Sequence, residues 1–388
     1  YLDTGSILLN MRKIPLMIPN LGQAEIEMVT QAILSGWIAQ GPLVSEFEKQ
    51  FAKKVGALEA IAVSNCTTGL HLALVVGGIT KGHDVIVPSF SYIATTNAVI
   101  HAGANPVFAD VSIETGNLTV ETITNAMTAS TKAVILVHQA GVPAQIDEIK
   151  SLCDFHGILL IEDAACAIGS KYKNDLIGSH SSLVVFSFHP RKVLTTGEGG
   201  MICTSNPEWA SRLRRLREHG MSLSAVERHA QGGVVIENYS ETGYNFRLTD
   251  IQAGLGLAQL EKLDEMVEVR RKQAGFYRES FASHPRILNM ISDTSYGLTN
   301  FQSFWIRLDT DQTFTRNSVM IEMDKHGVTT RRGIMVAHRE AACERFFTSP
   351  LPVSETLSDS TLILPVFHSL TESDQSQIIN VFLESLGK

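Results

Sequence analysis

The sequence predicts an α/β protein: a mainly parallel sheet with helices on both faces, followed by a smaller α+β domain. Three observations predict it. Short, apolar, β-branched runs recur between residues 60 and 204. Helical patterns separate these runs, the signature of repeated βα units. After about Arg212 the alternation stops, and longer helices and scattered strands follow.

Each element can be justified in order. From Asn20 to Val55 the spacing is helical: Glu25-Ile26, Val29, Ala32-Ile33, a break at Gly36 and Gly41-Pro42, then Val44, Phe47 and Phe51. Ala60–Ser64 reads as a strand and Thr67–Val76 as a helix. Asp84–Pro88 is a strand before a helix at Ile93–Ala102. Pro106–Asp110 is a strand, with a short helix from Val120. Lys132–His138 and Ile158–Glu162 are strands flanking a helix at Ala144–His156. Leu183–Ser187 and Met201–Thr204 complete the set. Beyond them come a basic helix at Arg212–His219, an irregular stretch at Gly220–Thr242 and one long helix at Asp250–Lys272. The last part carries strands at Gln302–Leu308 and Thr361–Leu364 and helices at Thr315–His326 and Glu372–Leu386. The division is residues 14–260 for the large domain and 261–388 for the small one. Residues 1–10, ahead of the first methionine, are set aside as a foreign or flexible leader.

The 388 residues suffice for two such units, and 44% apolar with 19% charged residues is an ordinary globular balance. A net charge of -8 argues against nucleic acid as a partner. Five scattered cysteines with no CxxC pair point to a reducing compartment. No apolar run reaches membrane-spanning length, and Pro15 and Pro19 interrupt the stretch after Met11-Arg12-Lys13 that could mimic a signal peptide. A cytoplasmic protein is expected.

In open α/β sheets, ligands sit at the carboxyl ends of the strands, and several polar residues follow directly after a strand here. Leu183–Gly200 (LVVFSFHPRKVLTTGEGG) turns from a buried strand into a polar loop that presents Lys192, then a glycine turn. Partial burial would lower the lysine pKa and free its amine for Schiff-base chemistry. A plain surface lysine fits the same stretch. Asp163 ends a strand, where a carboxylate could partner a pyridinium nitrogen; it could equally start a turn. Ser64–Gly69 (SNCTTG) offers backbone N–H groups at a helix start, an anion site or simple capping by Ser64 or Thr67. Tyr92 opens a helix and could stack on a planar ring or merely pack. The Arg212, Arg214, Arg215, Arg217 cluster reads as a solvated helix face rather than an anion site. His338, Glu340 and Cys343 lack good zinc spacing, so no metal is expected.

Together these blocks resemble the DegT/DnrJ/StrS family of sugar aminotransferases. The similarity is carried by SFHPRKVLTTGEGG, IEDAACAIGS, GYNFRLTDIQAGLGLAQL, SNCTTGLHLAL, PSFSYIATTNAVIHAGANPVFADV and the tail GIMVAHREA, covering nearly the whole chain from about Ile14. It implies the fold type I of pyridoxal 5'-phosphate (PLP) aminotransferases, with a seven-stranded sheet. Lys192 matches the lysine of the internal aldimine and proton shuttle, and Asp163 the partner of the ring nitrogen. Thr67, Thr68 and Ser187 match phosphate ligands, and Tyr92 the stacking aromatic. Asn245 matches a residue that reaches the neighbouring subunit's cofactor, implying a homodimer with shared sites. Cys166 stands where many members carry Gln or His near the cofactor hydroxyl, and it is a weaker hydrogen-bonding group. His189 and His338 match the sugar-nucleotide region. The implied reaction takes nitrogen from an amino acid, L-glutamate, and delivers it to a nucleotide-linked keto sugar, with a lean to 4-keto-6-deoxy over 3-keto sugars. Family dehydratases replace the lysine by histidine, so Lys192 argues against that chemistry. A non-catalytic regulatory member is the reading from another class, and intact Lys192 and Asp163 count against it.

Overall fold

The computed structural model describes residues 13–223 and 236–387; the leader at 1–10 and part of the irregular stretch lie outside them. Two helices come first, α1 (Gln23–Ser35) and α2 (Pro42–Val55). Then β1 (Glu59–Val63), α3 (Cys66–Val76), β2 (Asp84–Pro88), α4 (Ile93–His101), β3 (Asn105–Ala109), α5 (Val120–Ala126), β4 (Thr131–Val137), α6 (Ile146–His156) and β5 (Leu159–Asp163) follow in strict alternation. Two-residue strands β6 (Lys171–Tyr172) and β7 (Asp175–Leu176) precede β8 (Leu183–Ser187), β9 (Gly200–Thr204) and α7 (Pro207–Leu216).

Seven of these strands form one sheet in the order β1-β9-β8-β5-β4-β2-β3. β9 alone runs antiparallel to its neighbours β1 and β8. The other pairs are parallel, which is why their sequences are apolar on both faces. Successive side chains serve two cores. Ala60, Ala62, Ile86, Val134, Val184 and Phe186 pack with Phe47 and Phe51 of α2. Ile61, Val63, Val85, Ile135, Val185 and Ile202 pack with Leu70 and Leu74 of α3.

The register sets the site. Asp163 pairs with Val185, and Gly200 lies opposite both Ser187 and Val63. The carboxyl ends of β1, β5 and β8 therefore meet at one rim of the sheet.

Beyond the sheet, α8 (Asp250–Glu261) and α9 (Leu263–Phe281) replace the single helix expected at Asp250–Lys272. The path breaks at Lys262, whose Nζ is held 2.6 and 2.8 Å from the two oxygens of the buried Glu25 carboxylate. α9 runs on to Phe281 because Tyr277 and Phe281 are buried against Phe304 and Phe382. Asp250 itself caps α2, accepting from the backbone N–H groups of Gly41, Leu43 and Val44 at 2.8–3.1 Å. The basic helix is also displaced from Arg212–His219: Asn206 caps Glu208 and Trp209, and Pro207 starts the first turn. Its arginines are not a bare solvated face. Arg212 and Arg215 pair with Glu241, Arg214 with Glu59, and buried Arg217 with Glu48.

The C-terminal part holds β10 (Ile287–Met290), β11 (Gly297–Leu298), β12 (Phe304–Leu308), α10 (Arg316–Lys325), β13 (Arg331–Arg332), α11 (Pro352–Ser360), β14 (Thr361–Leu364) and α12 (Glu372–Ser385). Four of its strands make an antiparallel sheet, β10-β12-β14-β13. Between it and the rim of the large sheet lies a cleft of about 940 Å³. Among the described residues, no helix is long and apolar enough to cross a membrane.

Candidate active site

The start of α3 forms one wall of the cleft. Asn65 is the cap: its Oδ1 accepts from Thr68 N at 2.9 Å. Thr68 Oγ1 is already committed, donating to Asn65 O at 2.8 Å with Ser64 Oγ at 3.2 Å. Thr67 is half-buried and lines the cleft beside it. Two glycines bring this turn against the sheet. A Cβ on Gly69 would sit 2.7 Å from Val185 Cγ1, and one on Gly200 would sit 2.7–2.9 Å from the backbone of Asn65 and Cys66. A helix N-terminus beside the Thr67 and Ser187 hydroxyls is an arrangement that could take an anion.

The Lys192 loop closes between β8 and β9. Phe188 N donates to Gly199 O at 2.9 Å, and Thr195 Oγ1 donates to Phe188 O at 2.8 Å. Gln302 grips the loop from the bend before β12: its Nε2 donates to Arg191 O at 2.6 Å and its Oε1 accepts from Val193 N at 3.0 Å. Lys192 is thereby fixed, with Nζ 3.2 Å from Cys166 Sγ. Burial pushes its ammonium down, but the Cys166 sulfur, then Cys66 and the Asp163 carboxylate, more than offset this and hold it above the ordinary value. The sequence expectation of a lowered pKa is thus corrected: the Cys166 hydrogen bond and the Cys66 and Asp163 partners outweigh the effect of burial.

Asp163 is 4% exposed at the end of β5. Burial raises its pKa; the Ala165 N–H at 3.1 Å, the Thr95 hydroxyl at 2.9 Å, Lys192 and His138 work against that rise. Cys66 Sγ stands 4.0 Å from Asp163 Oδ1, its thiol pushed well up by burial and by that carboxylate. Behind this layer His138 and Glu162 form a fully buried pair at 2.9 Å.

Tyr92 caps α4 and is 63% exposed at the cleft. His189 also lines it; its Nδ1 accepts from Arg191 N at 3.2 Å, and burial lowers its pKa. Of the residues singled out from sequence, Lys192, Asp163, Thr67, Thr68, Tyr92, Cys166, Ser187 and His189 all line this one cleft. Asn245 and His338 do not. Asn245 is exposed on the bridge to Glu218. His338 is buried between Ser89 Oγ at 2.6 Å and Glu355 Oε1 at 3.2 Å, stacked on Phe347. Its burial lowers its pKa. Cys66, Thr95 and Gln302 were missed by the sequence reading; nothing local marks them, since each acts across the fold. Among the described residues no group of three His, Cys, Asp or Glu is placed to hold a metal ion.

These groups fit one kind of ligand. A planar ring would find Tyr92 on its face, its basic nitrogen would meet a buried carboxylate that gains from a cation, its phosphate would take the α3 cradle, and its aldehyde would face an amine. That is the chemistry of a pyridoxal phosphate enzyme.

Comparison with known proteins gives the class more closely. The model of the DegT/DnrJ/EryC1/StrS aminotransferase family matches residues 19–383. The aminotransferase TlmJ from Streptoalloteichus hindustanus superposes with a TM-score of 0.89 at 30% identity, covering 96% of this chain and 98% of that one. A putative sugar aminotransferase, Spr1654 from Streptococcus pneumoniae in its PMP form, gives 0.90 at 26% identity, with 96% and 99% covered. DesV from S. venezuelae, in complex with a ketimine intermediate, gives 0.87 at 28% identity, with 97% and 99% covered. The chain belongs to the DegT/DnrJ/EryC1/StrS aminotransferase family.

Proposed function

We propose that the chain is a PLP-dependent sugar aminotransferase that takes nitrogen from L-glutamate and delivers it to the keto group of a nucleotide-linked sugar, a 4-keto-6-deoxy sugar in particular. One observation carries the reading: Asp163 and the Lys192 loop rise from neighbouring strand ends, β5 and β8, into the same cleft. When bound, the cofactor supplies an electron sink for the substrate carbanion. The chain's own residues do the rest. Lys192 Nζ is the amine that would link to the cofactor and, once displaced, would act as the base that takes the proton from the α-carbon of the amino donor and as the acid that returns it to carbon. The Asp163 carboxylate stays ionised to pair with the ring nitrogen. Thr67, Ser187 and the first N–H groups of α3 hold the phosphate; Thr68, whose hydroxyl is bonded to Asn65 in the open cleft, joins them by turning that hydroxyl to the phosphate, and Tyr92 covers the ring.

His189, at the cleft, contacts the sugar substrate. His338, held between Ser89 and Glu355 outside the lining of the cleft, braces the turn after β2 rather than contacting the sugar. Asn245, exposed and outside the cleft of its own chain, serves the site of a second copy in a homodimer. The cleft lies between the large domain, 14–260, and the small domain, 261–388. Mass spectrometry of products after incubation with L-glutamate and a panel of nucleotide keto sugars tests the proposal. An amino sugar from a 4-keto-6-deoxy substrate supports it; exclusive turnover of 3-keto sugars contradicts the sugar assignment.

A further inference from the structure

The first turn of α4 does more than present Tyr92. Three residues on from that aromatic, Thr95 Oγ1 donates to Asp163 Oδ2 at 2.9 Å, and an ionised carboxylate has no proton to give back. Thr95 has therefore committed its proton, so Ser91 Oγ, 3.1 Å from Thr95 Oγ1, is the donor in the next contact. Both hydroxyl residues are 2% exposed. On the other oxygen, Ala165 N donates to Oδ1 at 3.1 Å. One carboxylate buried in a low-dielectric wall is thus supplied with donors from two separate elements, and the α4 arm is a two-hydroxyl relay.

We propose that Thr95 is a positioning residue: through the Ser91–Thr95–Asp163 relay it aims the Asp163 carboxylate and keeps it ionised for a basic ring nitrogen. The inference rests on the reading of the cleft as a PLP site. Hydrogen bonds to the charged form of a carboxylate favour that form, and burial opposes it. Lys192 from the β8–β9 loop, His138 after β4 and Cys66 of α3 also face Asp163 and stay in place; removing the Thr95 donor leaves burial less opposed, so Asp163 would take up its proton at higher pH. A neutral acid no longer attracts a cationic ring. Because Tyr92 and Thr95 share one helical turn, α4 also ties the ring face to the ring-nitrogen partner as one unit.

The test uses full-length protein stripped of cofactor and titrated with pyridoxal phosphate by absorbance across pH. Thr95→Val keeps the shape and removes the donor; Thr95→Ser keeps the donor. Thr95→Val is expected to weaken cofactor binding on the order of tenfold, the scale of one hydrogen bond to a charged group. The pH below which binding fails is expected to move upward, and Thr95→Ser to restore both. If Thr95→Val does not fold, Ser91→Ala reads the same relay and should move the same pH limit upward by less. Unchanged affinity and pH limit in the variant measured, with wild-type protein binding normally, overturns the inference alone. A Thr95→Ser protein as impaired as Thr95→Val assigns Thr95 to packing and also overturns it. Wild-type protein that takes up no cofactor overturns the site reading as well.

Discussion

Lys192 Nζ lies 3.2 Å from Cys166 Sγ, so the amine presented by the β8–β9 loop rests on a thiol from the turn after β5. Burial depresses this lysine, and the Cys166 sulfur is foremost among the groups that reverse the effect. Cys166→Ala removes that support. The lysine pKa then falls, the free-amine fraction at neutral pH rises, and uptake of pyridoxal phosphate by stripped protein accelerates. Stopped-flow absorbance at pH 7 checks it; an unchanged or slower rate shows that the sulfur does not govern the amine.

Asp163 carries the opposite kind of cost. Its folded pKa is raised, above all by burial. A carboxyl raised in the folded state stabilises the protein at pH below the unfolded value, and that contribution is lost as pH rises through the folded value. Asp163→Asn is therefore expected to leave cofactor-free protein as stable or more so at neutral pH, by about 1–3 °C in Tm. The gain disappears in acid. Amine transfer falls on the order of a hundredfold or more, the scale of one lost electrostatic partner. Thermal melts across pH and single-turnover kinetics read the two effects separately.

Gly200 tests the anion cradle without touching a polar side chain. An added Cβ would meet Asn65 and Cys66 backbone atoms at 2.7–2.9 Å, so the start of α3 must shift. Gly200→Ala is expected to cost about 1–3 kcal/mol of stability and to weaken phosphate-dependent cofactor binding. Comparing affinity for pyridoxal phosphate with affinity for pyridoxal isolates the phosphate: a loss confined to the former is the expected result.

The shared-site proposal is open to complementation. Lys192→Ala and Asn245→Ala are each expected to be inactive or nearly so as pure proteins. A mixed dimer pairs an intact Lys192 in one chain with an intact Asn245 in the other, so one site in two recovers. If Asn245 serves its own chain, mixing restores nothing.

Much of this was legible in the chain because strand ends are local. Leu183–Ser187 and Asp84–Pro88 matched their strands residue for residue, since both faces of a parallel strand are apolar. Lys192, Asp163 and the Thr67 turn follow such strands directly, so pattern alone placed them at one rim. What pattern could not give were contacts made across the fold. The donor from Thr95 to Asp163, the grip of Gln302 on Lys192's loop and the Asp250 cap on α2 each join residues far apart in sequence. The break at Lys262 was missed for the same reason, its partner Glu25 lying on α1. His338 showed only its residue type; its burial between Ser89 and Glu355 depends on the packing of α11.

The most direct measurement is the absorbance of purified, cofactor-loaded protein on addition of L-glutamate, with Lys192→Ala alongside. The account predicts that wild-type protein is yellow and loses its lysine-linked cofactor band as the amino group is taken up, while Lys192→Ala shows no catalysed transfer. No spectral change in wild-type protein with L-glutamate or any other amino acid, or full turnover by Lys192→Ala, would contradict it.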